Sequence, residues 1–128
     1  MADALFDTTV FIDYYRRDQR ARALMNAVLD GILRGSFSAV SAFEIWIGIS
    51  SHEEEIDYIS IMTAFEEVPL TASMARTAAI WLKDMPPRRA EALFRDALIA
   101  ATAAERAETI YTRNVADFQR FYPNVQSY

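Results

Sequence analysis

The chain has 128 residues, 52% hydrophobic and 24% charged, a composition typical of a soluble globular domain and not of a disordered protein. It contains no cysteine, which excludes disulfides and thiolate metal sites, and its net charge of −5 argues against non-specific attraction to nucleic acid. The first residues do not resemble a secretory signal, and no uncharged apolar stretch approaches the roughly 18 residues of a membrane helix, so we expect a cytoplasmic protein.

Strands and helices are predicted to alternate from the first residues onward. In chain order we predict a strand at residues 4–7, a short helix at 10–15, a helix at 19–33 and a strand at 36–40. Gly31 and Gly35 bracket the end of the second helix, as glycines often do. A helix at 41–50 comes next, followed by a helix that opens at His52.

The second half continues the alternation. We predict a brief strand at 67–70, a helix from Thr71 that Pro86 and Pro87 break, and a helix at 89–106, interrupted or bent before Asp96. A strand at 108–112 and an edge strand at 125–127 complete the chain. The pattern predicts an α/β fold over residues 1–128: one domain in three α/β/α layers, with a mostly parallel sheet of four or five short strands.

Four acids fall where buried elements are predicted to meet turns: Asp7, Glu44, Asp96 and Asp117. Ligands of parallel sheets bind beyond the carboxyl ends of the strands, and Asp7 and Asp117 lie at or just after such ends. Carboxylates that share a pocket repel one another and lose hydration, so they normally need a cation. Oxygen ligands without cysteine or histidine suit Mg²⁺ or Mn²⁺.

Each acid also has a local structural explanation. Asp7 would cap the helix that follows it, and Glu44 would close a capping box opened by Ser41. Asp96 would stabilise a helix N-terminus, and Asp117 would form an Asx turn. These explanations stay open for each acid taken singly, but together the four acids favour a metal site.

Four segments resemble the motifs of PIN-domain nucleases, in the same order and over nearly the whole chain. They are residues 5–13 (Leu-Phe-Asp-Thr-Thr-Val-Phe-Ile-Asp), 40–45 (Val-Ser-Ala-Phe-Glu-Ile), 96–103 (Asp-Ala-Leu-Ile-Ala-Ala-Thr-Ala) and 112–118 (Thr-Arg-Asn-Val-Ala-Asp-Phe). Each motif is weak alone, but four in order are fairly specific. The chain is most similar to the VapC-type toxins of bacterial toxin–antitoxin systems, which are equally small.

This resemblance implies a metal-dependent endoribonuclease. Asp7, Glu44 and Asp96 match the family's metal-binding acids, and Asp117 matches its more variable fourth acid. Thr8 and Asn114 match positions that support the acids by hydrogen bonding or by holding water. The chain departs from the family at Thr9, where asparagine or serine is common, and we expect little effect on metal binding. Asp13 matches a frequent acid, which we interpret as a surface residue in preference to a support of the site.

The resemblance also implies partners: an RNA substrate, a cognate antitoxin and a second copy of the chain in a homodimer. We expect no association with a membrane. Arginines concentrate in two groups, and we expect backbone contacts to RNA from Arg16, Arg17, Arg20, Arg88 and Arg89. Solvated helix faces are the alternative explanation of both groups.

Two other functions fit part of the pattern. One is a non-catalytic interaction module with the same fold. The other is a metal-dependent phosphatase or receiver-like domain. The receiver chemistry needs a lysine on a late strand, whereas Lys83, the only lysine, falls in a predicted helix.

Overall fold

Five short strands form one sheet within residues 2–128, the part of the chain that the computed structural model describes (residue 2 by its backbone only). They are β1 Ala2–Phe6, β2 Leu33–Ser38, β3 Glu66–Val68, β4 Thr109–Tyr111 and β5 Val125–Gln126. The order across the sheet is β3-β2-β1-β4-β5, and all four pairings are parallel. The predicted parallel sheet is confirmed, with β5 at one edge.

Helices cover both faces of this sheet. They are α1 Thr8–Tyr15, α2 Gln19–Leu29, α3 Ala39–Gly48, α4 His52–Met62, α5 Ala72–Leu82, α6 Pro87–Arg106 and α7 Val115–Gln119. Successive residues of β1 point to opposite faces: Phe6 packs in a cluster with residues of α1 to α4, and Leu5 packs with residues of α6 and α7. The three-layer α/β/α prediction is confirmed. Among the described residues, no helix is both long and apolar enough to cross a bilayer.

The strand order creates one crevice at the carboxyl edge of the sheet. From β1 the chain moves outward through β2 and β3, and it then returns to place β4 on the other side of β1. The connections that leave β1 and β4 therefore diverge, and such a point is where parallel sheets bind ligands. Asp7 follows β1 directly, and Thr112 follows β4.

The prediction of a helix at 19–33 is wrong in its last turn. α2 ends at Leu29, and Gly31 turns the chain with a φ of 76°, a left-handed conformation that glycine adopts at little cost. Gly35 does not end a helix but lies inside β2, where a Cβ would come within 2.6 Å of the Phe65 ring. Glycine is therefore needed there for close packing.

Most other predicted bounds are shifted by one or two residues, and the differences that bear on the site are these. The strand predicted at 36–40 ends at Ser38, whose hydroxyl accepts a hydrogen bond from the Val40 amide and so caps α3 two residues earlier than expected. α6 runs without interruption through Asp96. The five-residue helix α7 was not predicted at all.

Candidate active site

Asp7 lies at the junction of β1 and α1, and its side chain is only 4% exposed. Its Oδ2 accepts hydrogen bonds from the hydroxyls of Thr9 (3.0 Å) and Thr112 (2.9 Å). Asp7 is the N-cap residue of α1, but its side chain makes no capping hydrogen bond, so the helix-cap explanation is wrong. Burial raises the pKa of Asp7 above its usual value, and the two threonine hydroxyls offset part of that rise.

Glu44 projects from the middle of α3. Its Oε1 accepts a 2.7 Å hydrogen bond from the Thr8 hydroxyl, and its Oε2 lies 3.6 Å from Nε of Arg95. The capping-box explanation is wrong, because α3 is capped by Ser38 and not by Ser41. Glu44 is thus held by residues of α1 and α6.

Asp96 lies midway along the 20-residue helix α6, too far from its N-terminus for the predicted macrodipole effect. Burial raises the pKa of Asp96 to about 7, and the charges of Asp7, Asp117 and Glu44 add to the rise. Arg95 offsets part of it. Because charges separated by much more than a Debye length barely interact, this coupling indicates that the four carboxylates surround one region, named here the acidic pocket.

Asp117 lies in the first turn of α7, and its amide hydrogen bonds to the Asn114 carbonyl oxygen (3.2 Å). It is therefore a helical residue, and the Asx-turn explanation is wrong. Asp117 lines a groove of about 470 Å³ with Arg88, Arg89 and Arg120. This groove joins one predicted arginine group to the acidic pocket.

The other arginines are spread over different surfaces. Arg16 lines a second groove, of about 340 Å³, together with Glu44. Arg17 lines a separate groove with Glu53 and Asp57, and Arg20 pairs with Asp18 at 3.5 Å. Of the three arginines predicted near the N-terminus, Arg16 thus lines a groove together with an acid of the acidic pocket, Glu44.

The oxygen donors of the acidic pocket fit a hard divalent cation in chemistry and in charge. Burial is the main cause of the raised pKa values of Asp7 and Asp96, and the charges of neighbouring carboxylates add to both. As the side chains stand, however, no three acids or histidines within residues 2–128 are grouped so that they could hold a metal ion. Glu44 is engaged by Thr8 and Arg95, and these contacts would compete with any metal ion for its carboxylate.

Several supporting residues were missed by sequence reasoning. Thr112 donates to Asp7 and accepts from the backbone amide of Asn114 (3.0 Å), so this backbone, through Thr112, helps to hold Asp7. The Asn114 side chain is not part of that chain of hydrogen bonds. The position of Thr112 in the sequence could have revealed this role, because Thr112 is the last residue of a predicted strand, as Asp7 is.

The interpretation of Asp13 as a surface residue is wrong. Asp13 is 6% exposed and accepts hydrogen bonds from Arg113 Nη1 (2.6 Å) and from the Tyr128 hydroxyl (2.5 Å). The Arg113 amide in turn donates to the Thr9 hydroxyl (3.2 Å), which donates to Asp7. A continuous network therefore joins Asp13 to the acidic pocket.

Comparison with known proteins identifies the family of this sequence. A sequence model described as the PIN domain matches residues 4–122. No curated protein matches the chain significantly.

Solved structures with the same fold cover nearly the whole chain. A chain of a toxin–antitoxin complex from Klebsiella pneumoniae is 22% identical with a TM-score of 0.76, and the match covers 96% of this chain and 95% of that one. DNA-bound VapBC from Salmonella typhimurium is 17% identical with a TM-score of 0.76 and coverage of 100% and 98%. VapBC2 from Rickettsia felis, bound to a promoter DNA fragment, is 14% identical with a TM-score of 0.74 and coverage of 98% of each chain. At these identities the likeness establishes the fold.

Proposed function

The chain belongs to the PIN-domain family, and from this we propose that it is a metal-dependent endoribonuclease, the toxin of a toxin–antitoxin pair. The observation that carries the proposal is that the charges of Asp7, Glu44 and Asp117 all act on Asp96, near the point where the connections of β1 and β4 diverge. Such a cluster is costly in an empty pocket and useful around a divalent cation. One or two bound Mg²⁺ or Mn²⁺ ions would lower the pKa of water and neutralise charge on a phosphodiester.

Asp7, Glu44, Asp96 and Asp117 are the residues that would hold the metal. Thr112 and Thr9 fix the orientation of Asp7, since both donate to the same carboxylate oxygen. Thr8 does the same for one oxygen of Glu44. Asp117 stands at the opening toward the arginine groove and is the acid we assign to holding the attacking water.

The RNA backbone would follow the two grooves that reach the acidic pocket. Arg88 and Arg89 line the groove at Asp117, and Arg16 lines the groove at Glu44. Because an acidic pocket repels a rigid duplex, a single-stranded or loop region is the favoured substrate. Attack by water would leave 5′-phosphate and 3′-hydroxyl ends.

The partners follow from the proteins with the same fold. The Klebsiella structure is described as a toxin–antitoxin complex, and the Salmonella and Rickettsia structures as VapBC bound to DNA. A cognate antitoxin is therefore part of the proposal. From the family resemblance we also propose a homodimer, a cytoplasmic location and a single domain over residues 1–128.

One observation favours a different function, the non-catalytic interaction module. Within the described residues, no three acids or histidines are grouped to hold a metal ion. An interaction module would keep the fold and would gain nothing from divalent cations. The receiver-like alternative has no such support, since Lys83 ends the helix α5 and does not lie on a strand.

Cleavage of single-stranded RNA in Mg²⁺ or Mn²⁺ separates these functions. We expect Asp7→Asn and Asp96→Asn to lose at least about 100-fold in rate, because even outer-shell changes at metal sites cost about 10- to 100-fold. The matched control is Asp84→Asn, an exposed acid in the turn between α5 and α6. Full activity in both pocket variants, or cleavage that persists in chelator, would exclude the nuclease mechanism.

A further inference from the structure

Among the residues that the structure describes, Arg95 is the cation that pairs with an acid of the acidic pocket. It immediately precedes Asp96 on α6, its Nε lies 3.6 Å from Oε2 of Glu44, and its guanidinium carbon lies 5.6 Å from the centroid of the Phe94 ring. It also holds down the pKa of Asp96 against the surrounding acids. Arg95 therefore supplies part of the positive charge that the pocket requires.

The contact between Arg95 and Glu44 is weak enough to be replaced by another one. It is a single long contact, not a bidentate pair, and the two side chains are 51% and 27% exposed. Ion pairs of this kind are weak because water screens them. Each oxygen of the Glu44 carboxylate nevertheless has a partner, since the other oxygen accepts a hydrogen bond from the Thr8 hydroxyl.

A divalent cation that takes Oε2 of Glu44 would displace this contact. Two positive groups cannot both approach one carboxylate oxygen closely without repelling each other. The displaced guanidinium would stay at the rim of the pocket, because Arg95 and Asp96 are consecutive on one helix. Its planar donors suit a phosphate, which is the group that RNA brings there.

We propose that Arg95 is an exchangeable counter-ion of the acidic pocket: it holds Glu44 when no divalent cation is bound, and once displaced it binds a phosphate of the RNA substrate. This inference rests on the proposed function and makes Arg95 both a regulator of metal affinity and a substrate contact. Metal and RNA binding are thereby coupled through one side chain.

The first test is the affinity for Mn²⁺ alone, measured by calorimetry at about 150 mM salt to screen distant charges. Arg95→Gln should bind Mn²⁺ more tightly, by up to about 5-fold, the factor that corresponds to the usual strength of an exposed ion pair. Arg76→Gln, an exposed position on α5, makes the same change in net charge and should leave the affinity unchanged. Equal or weaker Mn²⁺ binding by Arg95→Gln would overturn the inference.

The second test is binding of a short single-stranded RNA, followed by fluorescence anisotropy at times at which gel electrophoresis shows the RNA still intact. Arg95→Gln should weaken RNA binding several-fold in Mg²⁺ but not in chelator, where Glu44 still holds the arginine of the natural chain. Arg95→Lys retains the charge without the planar donors, so its RNA affinity in Mg²⁺ should lie between those of the natural chain and Arg95→Gln. An equal loss in Mg²⁺ and in chelator would show a fixed contact and would contradict the exchange.

The two levels of the proposal fail differently. If the natural chain neither binds Mn²⁺ nor cleaves RNA, the proposed function and the inference fall together. If it binds Mn²⁺ and cleaves RNA, but Arg95→Gln matches it in both binding assays, only the role of Arg95 is overturned. Thermal unfolding of each variant verifies that the fold is intact.

Discussion

The carboxyl group of Asp96 is perturbed both by its burial and by the acids around it. Its pKa is raised to about 7, against a usual value of 3.8, with burial as the first cause. The folded chain therefore binds more protons than the unfolded chain between about pH 4 and pH 7, and the free energy of unfolding falls as the pH rises through this window. A neutral asparagine side chain at this position would not contribute to this fall.

We therefore predict that, in chelator, Asp96→Asn gains stability relative to the natural chain as the pH rises from about 4 to about 7. Urea unfolding at a series of pH values measures the difference. Asp84→Asn is the control for a changed acid outside the pocket. A constant difference between Asp96→Asn and the natural chain across the window would show that the Asp96 carboxyl is not perturbed.

A second buried acid, Glu108, is compensated by its neighbours. Its side chain is 3% exposed, and it accepts hydrogen bonds from Arg106 Nε (2.7 Å) and the Ser36 hydroxyl (2.9 Å). We predict that Arg106→Met destabilises the fold by about 3–5 kcal/mol, because it leaves a buried charge without its partner. The exposed pair of Arg106 with Glu66 is the control: Glu66→Gln should cost less than about 1 kcal/mol in urea unfolding. Equal losses in the two variants would refute the argument.

Candidate site residues could be selected from the sequence where the signal is local, and their roles remain predictions. Asp7 and its neighbours carry a motif, and so do Glu44 and Asp96. Asp13 carries no local sign of its role, because its partners Arg113 and Tyr128 lie 100 and 115 residues away in the chain. Only the folded topology joins them.

Among the elements, α6 has a strained backbone conformation at its C-terminus that a substitution should relieve. Ala107 ends the helix with φ 54° and ψ 39°, in the left-handed region that favours glycine. We predict that Ala107→Gly stabilises the protein by about 0.5–1 kcal/mol. The free energy gained by relieving the backbone strain exceeds the free energy lost because glycine adds conformational entropy to the unfolded chain. Ala104→Gly, inside the same helix, should instead destabilise by about 0.5–1 kcal/mol. Thermal unfolding of both variants measures the contrast, and a shift of the same sign in both would contradict it.

Element boundaries were less predictable than element types. Apolar residues Ile32 and Leu33 continue the spacing of α2, so periodicity extends that helix, whereas Gly31 ends it through a backbone conformation that spacing does not encode. α7 has only five residues, too few for a helical period to be recognised. Its omission also left the position of Asp117 unexplained.

At the scale of the whole molecule, the parallel sheet could be predicted from the alternation of strands and helices. The strand order could not, because it depends on which long-range pairs pack best. That order makes the crevice: β4 pairs with β1, and Asp7 and Thr112 come within 2.9 Å although 105 residues separate them. The sequence indicated the candidate acids of the site, and the strand order explains how residues so far apart in the chain come to one edge of the sheet.

Divalent metal should stabilise the whole fold if the pocket binds it. Metal at about ten times its Kd adds about 1.4 kcal/mol to the free energy of unfolding, which corresponds to a rise of about 4–8 °C in Tm for a domain of this size. We predict this rise for the natural chain in Mn²⁺, compared with NaCl at equal ionic strength to remove simple screening. The size of the rise depends on the Kd, so a titration gives both.

The pocket variants make this prediction specific. Removal of one repelling charge should raise the Tm of Asp7→Asn and Asp96→Asn in chelator, while removal of a ligand should reduce their response to Mn²⁺. These two effects have opposite signs, and a general loss of stability cannot produce both. The same Mn²⁺ response in the natural chain and in both variants would place metal binding outside the acidic pocket. Because a cation at Oε2 of Glu44 would first have to displace Arg95, Arg95→Gln should reach its full Tm rise at a lower Mn²⁺ concentration than the natural chain.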